Sequence, residues 1–230
     1  HELAMMENIP RRSVLLFLVI FCVGLGLYVP TLSFGIGWYN SGEFAAAALS
    51  LDVPHAPGYP LFTRLANLFT RLPIPVEPAW KVNFFSAMAG CLGAGIFGLW
   101  LRRVGCSFFL ALSGSVWLLT WPVFREVACN GEVYTLEIVL LAAFFLLLER
   151  LKDHDSGWGN LFFLGMIMSL GIGHRPTFLL FFPAMAWSGL SLEKRTVLLK
   201  NHWKSLLLGG LAGMIPTVDL FLRLQNPDRV

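Results

Sequence analysis

The 230 residues include 17 Lys and Arg against 14 Asp and Glu, a formal net charge of +3; 56% are hydrophobic and 13% charged. Mean hydropathy is +0.67. So small a positive balance gives no electrostatic footprint for a nucleic-acid partner. The charged share is about half that of a soluble domain, and the apolar residues fall into long blocks, so the pattern predicts an all-α polytopic membrane protein, because a helix satisfies its own backbone in lipid.

The opening HELAM, residues 1–5, reads as a tag remnant, and 6–230 reads as a single transmembrane domain. About seven spans of the length that lipid requires can be drawn: 13–30, 83–101, 107–122, 134–149, 159–173, 177–190 and 205–222. Arg11 and Arg12 precede the first, which lacks a small-residue cleavage site and reads as an uncleaved anchor. Lys and Arg collect on the cytoplasmic side of short loops. A cytoplasmic N-terminus places Arg11, Arg12, Arg102, Arg103, Arg150, Lys152, Lys194, Arg195, Lys200 and Lys204 inside. The chain then reads as a multi-pass protein of a bacterial inner membrane with its long first loop, 31–82, on the periplasmic side.

That loop holds WYNSGEFAAAALSLDVPHAPGYP and then LFTRLANLFTRL. Two short helices fit it. The first begins near Asn40, where N-x-x-E before an Ala-rich run has the form of a capping box; alternatively Glu43 takes a proton or orients a substrate. The second begins at Pro60, a favoured first-turn residue. Its apolar residues Leu61, Phe62, Leu65, Leu68, Phe69 and Leu72 follow helical spacing, with Arg64, Asn67 and Arg71 opposite, as in a helix lying at a membrane interface. Those arginines either contact lipid phosphates or extend to water. His55, in the Pro-rich turn, suits a structural hydrogen bond or a catalytic role.

Later polar residues fall mostly at the outer ends of spans. FREVACNGEVY holds Arg125, Glu126, Glu132 and Tyr134; Glu132 suits the start of the fourth helix, where negative charge favours the dipole. His174 and Arg175 follow two glycines. Asp219 lies in an apolar stretch with Arg223 one turn later, so a local ion pair is expected. Cys22, Cys91, Cys106 and Cys129 show no metal or redox spacing, and no disulfide framework is expected.

NSGEFAAAALSLDVPHAPGYPLF followed by AWKVNFFSAMAG resembles a bacterial family of uncharacterised membrane proteins that is similar to the vertebrate enzyme that O-mannosylates plexin-type receptors. Both resemble the GT-C glycosyltransferase superfamily, with the protein O-mannosyltransferases. The family pattern runs D-S-G-E, P-H-P-P-G-Y-P-L, N-x-x-S-A and E-V-Y-T-L; the last matches Glu132 to Leu136, His174 to Thr177 matches an H-x-T element loosely, and Arg223 to Pro227 matches an R-x-x-N-P ending more loosely still. The resemblance implies a GT-C-type module in which a hexose, mannose or another, passes with inversion from a polyisoprenyl-phosphate donor to a hydroxyl of a protein, lipid or glycan, with membrane lipids around it. It implies that position 40 is the catalytic base with Glu43 beside it, and that His55, Tyr59, Arg64, Arg125, Glu132, Tyr134, His174, Arg175 and Arg223 contact substrate. No cofactor is expected; a divalent cation is the one candidate, where carboxylates meet His55 or His174, without dedicated ligand spacing. One departure stands out: the family has Asp where this chain has Asn40, and an amide cannot take the acceptor's proton, so either this form is inactivated, the favoured reading, or Glu43 does the work. A transporter or lipid flippase and a non-catalytic scaffold are the rival readings; a transporter would show internal repeats, and none is evident.

Overall fold

The computed structural model describes residues 2–153, 157–183 and 192–225. Among them the chain is helical: α1 (Glu2–Tyr28), α2 (Ser41–Ser50), α3 (Pro60–Thr70), α4 (Pro78–Arg103), α5 (Phe108–Thr120), α6 (Pro122–Cys129), α7 (Tyr134–Arg150), α8 (Trp158–His174), α9 (Leu192–Gly213) and α10 (Ile215–Gln225), with short 3-10 turns at Val29–Thr31 and Pro176–Phe181.

Helix α4 is the spine. It packs against α1, α7, α5 and α6 along its length and carries α2 and α3 near its N-terminal end, while α7 continues to α8 and α8 to α9. Ala87, Cys91 and Ala94 of α4 give it a narrow face, on which Leu16 and Ile20 of α1 and Ala111 and Leu119 of α5 are buried. Lipid offers no hydrophobic incentive for helices to associate, so close packing of small residues must supply it. The α8–α9 pair uses the same device: a side chain on Gly209 or Gly213 would collide with the backbone carbonyls of Phe162 and Met166.

Among the described residues three helical segments, not seven, are long and apolar enough to cross a membrane: Arg11–Thr31, Pro78–Arg103 and Lys200–Gln225. A fourth counts only if α5 and α6 are taken together, and they are bent by 63°. The bend follows from chemistry at the junction: Pro122 forces Trp121 out of the helical region, and Trp121 has φ −62 and ψ 122. The span expected at 107–122 therefore stops at Thr120. Helices α7 and α8 have 17 residues each, about 25 Å at the helical rise and short of a ~30 Å hydrocarbon core. Of the span expected at 177–190, the described part is a 3-10 turn to Phe181 followed by a helical residue at Pro183, and residues 184–190 lie outside the described set. The segment at 205–222 is helical but breaks at Met214 between α9 and α10.

Both loop helices form, with α3 starting at Pro60. Their aromatic residues Phe44 and Phe62 build a second buried cluster with Phe85 of α4 and with Val133 and Leu136 of the α7 end. The polar side of α3 is not a plain solvent face: Asn67 is buried and donates to Ala48 O at 2.7 Å, which ties α3 to α2.

Candidate active site

Three segments meet over the N-terminal end of α4. They are the loop 38–59 with α2, the junction of α6 and α7, and the C-terminal end of α8.

At the first contact, the peptide N–H of Asn40 donates to Glu132 Oε1 at 3.1 Å, across 92 positions of sequence. Asn40 occupies the N-cap position of α2, yet its side chain makes no capping bond. Glu43 does not reach back to it either. Its carboxylate accepts the His55 backbone N–H at 2.5 Å and faces His55 Nδ1 at 2.8 Å. The capping box is therefore absent: Glu132 holds the Asn40 peptide N–H that Glu43 would have accepted, and His55 holds Glu43. His55 holds Glu43 below the usual carboxylate range through these bonds. With Nδ1 turned to Glu43, His55 Nε2 lies 3.4 Å from Tyr59 Oη.

Glu132 is 1% exposed. Burial pushes its carboxyl upward, partly opposed by the Asn40 N–H. Its backbone is pinned from below, since Ser86 Oγ donates to Glu132 O at 2.8 Å and Thr135 Oγ1 lies 3.0 Å from Ser86 Oγ. Asn83, one turn earlier on α4, donates to Ser33 O and Gly35 O at 2.8 and 3.0 Å. The spine thus fixes both the incoming loop and the Glu132 turn.

Tyr59 packs edge-on against Phe44, His55 and His174, and burial raises its phenol. His174 is 1% exposed with Nε2 3.1 Å from Val133 O. A carbonyl only accepts, so Nε2 carries the proton and Nδ1 is left as an acceptor; that atom is buried with no partner among the described residues. Arg175 donates to Glu137 Oε2 at 2.5 Å and stands over the Tyr134 ring, 4.9 Å from its centroid.

A second ionic group lies beside this one. Arg64 Nε donates to Asp219 Oδ2 at 2.6 Å and Arg223 Nε to the same oxygen at 3.0 Å. Arg223 also donates to Leu51 O. The expected Asp219–Arg223 pair is present, and Arg64 of α3 joins it. Arg125 is exposed on α6. No three of His, Cys, Asp and Glu come together as a metal-sized cluster among the described residues.

The backbone around the site is strained. Tyr39, Leu51 and Tyr59 have φ of 58, 57 and 40. Bulky residues in the left-handed region cost on the order of 1–3 kcal/mol each and persist where surrounding structure holds them. All three border α2 or the α2–α3 loop, the segment that carries Asn40, Glu43 and His55. Glu137, Ser86 and Thr135 are the site-bearing residues that the sequence reading did not single out. Ser86 and Thr135 stand inside the N-x-x-S-A and E-V-Y-T-L blocks, which was the available signal; Glu137 had none beyond its place in the first turn of α7.

A helical membrane protein with a buried carboxylate, an oriented histidine and paired arginines at one end of its bundle is the class these features define. A family description of the N-terminal domain of protein O-mannosyl-transferase TMEM260 matches residues 40–198. The chain belongs to that family. It is similar to protein O-mannosyl-transferase tmem260 of Dictyostelium discoideum, 32% identical over 117 residues, which is 47% of this chain and 13% of that protein. It is also similar to protein O-mannosyl-transferase TMEM260 of Mus musculus, 29% identical over 138 residues, 58% of this chain and 19% of that protein. The matched regions are thus under a fifth of the length of these relatives. No solved structure matches the chain.

Proposed function

We propose that this chain is the membrane-embedded part of a glycosyltransferase that moves a mannosyl or other hexosyl group from a polyisoprenyl-phosphate donor to an acceptor hydroxyl, with inversion, on the periplasmic side of a bacterial inner membrane. The acceptor oxygen attacks the anomeric carbon. The bond from that carbon to the phosphate oxygen breaks, and polyisoprenyl phosphate leaves with the electron pair. The acceptor proton passes to a base at the Asn40–Glu43 turn. A donor whose tail stays in lipid requires such a site at the end of a bundle, within reach of the interface.

The observation that carries this reading is the contact between Asn40 N and Glu132 Oε1 at 3.1 Å. It joins the two family segments of acidic character, 40–43 and 132, although they are far apart in sequence. Two carboxyl groups with opposite tendencies follow. Glu43 is held ionised by His55, whereas Glu132 is pushed toward its protonated form. Oppositely biased carboxyls at one site are the pattern of acid–base division of labour. Asn40 itself cannot accept the proton, so Glu43, oriented by His55, is the weaker substitute and turnover is slow. The arginines at 175, 64 and 223 suit the leaving phosphate.

The test is transfer of labelled mannose from a polyprenyl-phosphate donor in proteoliposomes. Asn40→Asp should raise the rate by about 10²–10⁴-fold, the usual worth of a positioned general base. Equal rates for parent and variant would reject the role of position 40. Movement of donor across the bilayer without transfer in either protein would replace the enzyme with a carrier.

A further inference from the structure

The end of the bundle remote from this site contains a cleft of about 730 Å³ between α1, α4 and α7. Ser86 and Arg102 of α4 are separated by about 24 Å at the helical rise, so the two places are independent. The volume lies within the ~300–1,000 Å³ span of small-molecule sites. Its lining divides in two. Val14, Phe17, Leu99 and Leu146 form an apolar wall, and Arg102, Arg103 and Arg150 form a cationic rim.

Basic residues at helix ends need no ligand to explain them, since loop charge alone sets orientation. Their arrangement here does more. Two guanidiniums from the last turn of α4 and one from the last turn of α7 border a single concavity instead of radiating outward. Nearby acids do not cancel them all. Asp153 pairs with Arg103, and Glu149 is taken by Lys152 at 2.7 Å. Arg102 uses Nη1 to hold Cys106 O at 2.6 Å, which neutralises no charge. Among the described residues neither Arg102 nor Arg150 has an ion-pair partner. Val14 on the open side is 58% exposed, so the cleft is continuous with a lipid-facing helix surface.

We propose that this cleft binds the headgroup of an anionic phospholipid, its phosphodiester on Arg102 and Arg150 and the upper part of its acyl chains along Val14, Phe17, Leu99 and Leu146. Paired guanidiniums suit phosphate oxygens, and basic clefts between transmembrane helices on the positively charged side take anionic headgroups. A free phosphate would gain nothing from the apolar wall, and a zwitterionic lipid would bring its own cation to the arginines.

The experiment uses the whole chain in nanodiscs or detergent with phosphatidylglycerol, cardiolipin or phosphatidylcholine, read by native mass spectrometry and by lipid-dependent thermal shift. The expected result is preferential retention of the two anionic lipids, weakened about thirtyfold when Arg102→Gln and Arg150→Gln are combined. Arg150→Gln alone should give about fivefold, and since Arg150 is exposed this variant tests the idea even if the Arg102 change impairs folding. Arg102→Lys with Arg150→Lys should retain most of the preference. Arg71→Gln, an exposed arginine just after α3, should change nothing. Equal retention of phosphatidylcholine, insensitivity to both Gln variants, an equal loss with Arg71→Gln, or displacement by millimolar inorganic phosphate would each overturn the proposal.

Discussion

Replacing Glu132 separates what the carboxylate does for folding from what it does for chemistry. The side chain is 1% exposed and accepts the Asn40 N–H at 3.1 Å. Glu132→Ala removes a carboxylate acceptor from a part-buried hydrogen bond, at a cost of about 1–3 kcal/mol. For a chain of this length that lowers the unfolding midpoint by roughly 2–12 °C. Glu132→Gln keeps an oxygen at the same place and removes a charge that burial disfavours. Because the folded carboxyl sits above its ordinary range, the folded chain holds that proton more tightly than the unfolded one. The parent's stability from this group is therefore full below the ordinary carboxylate pKa and falls as pH rises through the raised folded value. Glu132→Gln lacks that fall, so its midpoint relative to the parent should rise from pH 4 to pH 7 and match or exceed it at neutrality. Thermal unfolding followed by tryptophan fluorescence across that range measures it. In the Asn40→Asp background, the same Gln variant should lose at least about 100-fold in sugar transfer. If Gln proved as damaging to stability as Ala at pH 7, the charge would be holding the fold and the assignment of Glu132 to chemistry would fail.

Other outcomes follow from neighbouring contacts. His55→Ala breaks a pair whose two side chains are each 41% exposed, so it should cost under about 1 kcal/mol of stability. It should also flatten the acid limb of the stability curve, because the lowered Glu43 pKa contributes above the ordinary carboxylate range and is lost as pH falls; transfer in the Asn40→Asp background should drop by about 100-fold. Gly58→Ala places a side chain at φ 88 and 2.9 Å from Leu220 Cδ2, and should destabilise by about 1–3 kcal/mol, with faster protease cleavage near 51–58 as α10 loosens. Asp219→Ala removes the shared partner of Arg64 and Arg223, whose side chain is 10% exposed; a loss of roughly 2–4 kcal/mol is expected, and chemical unfolding checks it.

Periodic features were legible before the structure. The α3 start at Pro60, the long apolar runs behind α1 and α4, and the Asp219–Arg223 pair all rest on spacing within one helix. Features set by competition between distant groups were not. N-x-x-E predicted a local cap at Asn40, and two partners outside the motif took its place: Glu132 on the Asn40 amide and His55 on Glu43. Arg64 was expected at lipid, water or substrate, and spacing could not show that it reaches Asp219, 155 positions away. Hydropathy also could not show that Trp121–Pro122 turns a continuous apolar run through 63°, although the proline was the physical cue.

Glu132, His55, His174 and Arg223 reach one end of the bundle from four separate parts of the chain. During synthesis the early loop is made long before α10 can bring Arg223 to Leu51 O and Asp219 to Arg64. A nascent chain halted after α8 would present the carboxyl and imidazole groups without the cation that braces the Leu51 turn. Competence at this site therefore depends on α10, and a ribosome-stalled series of increasing length should gain it in one step once α10 has emerged.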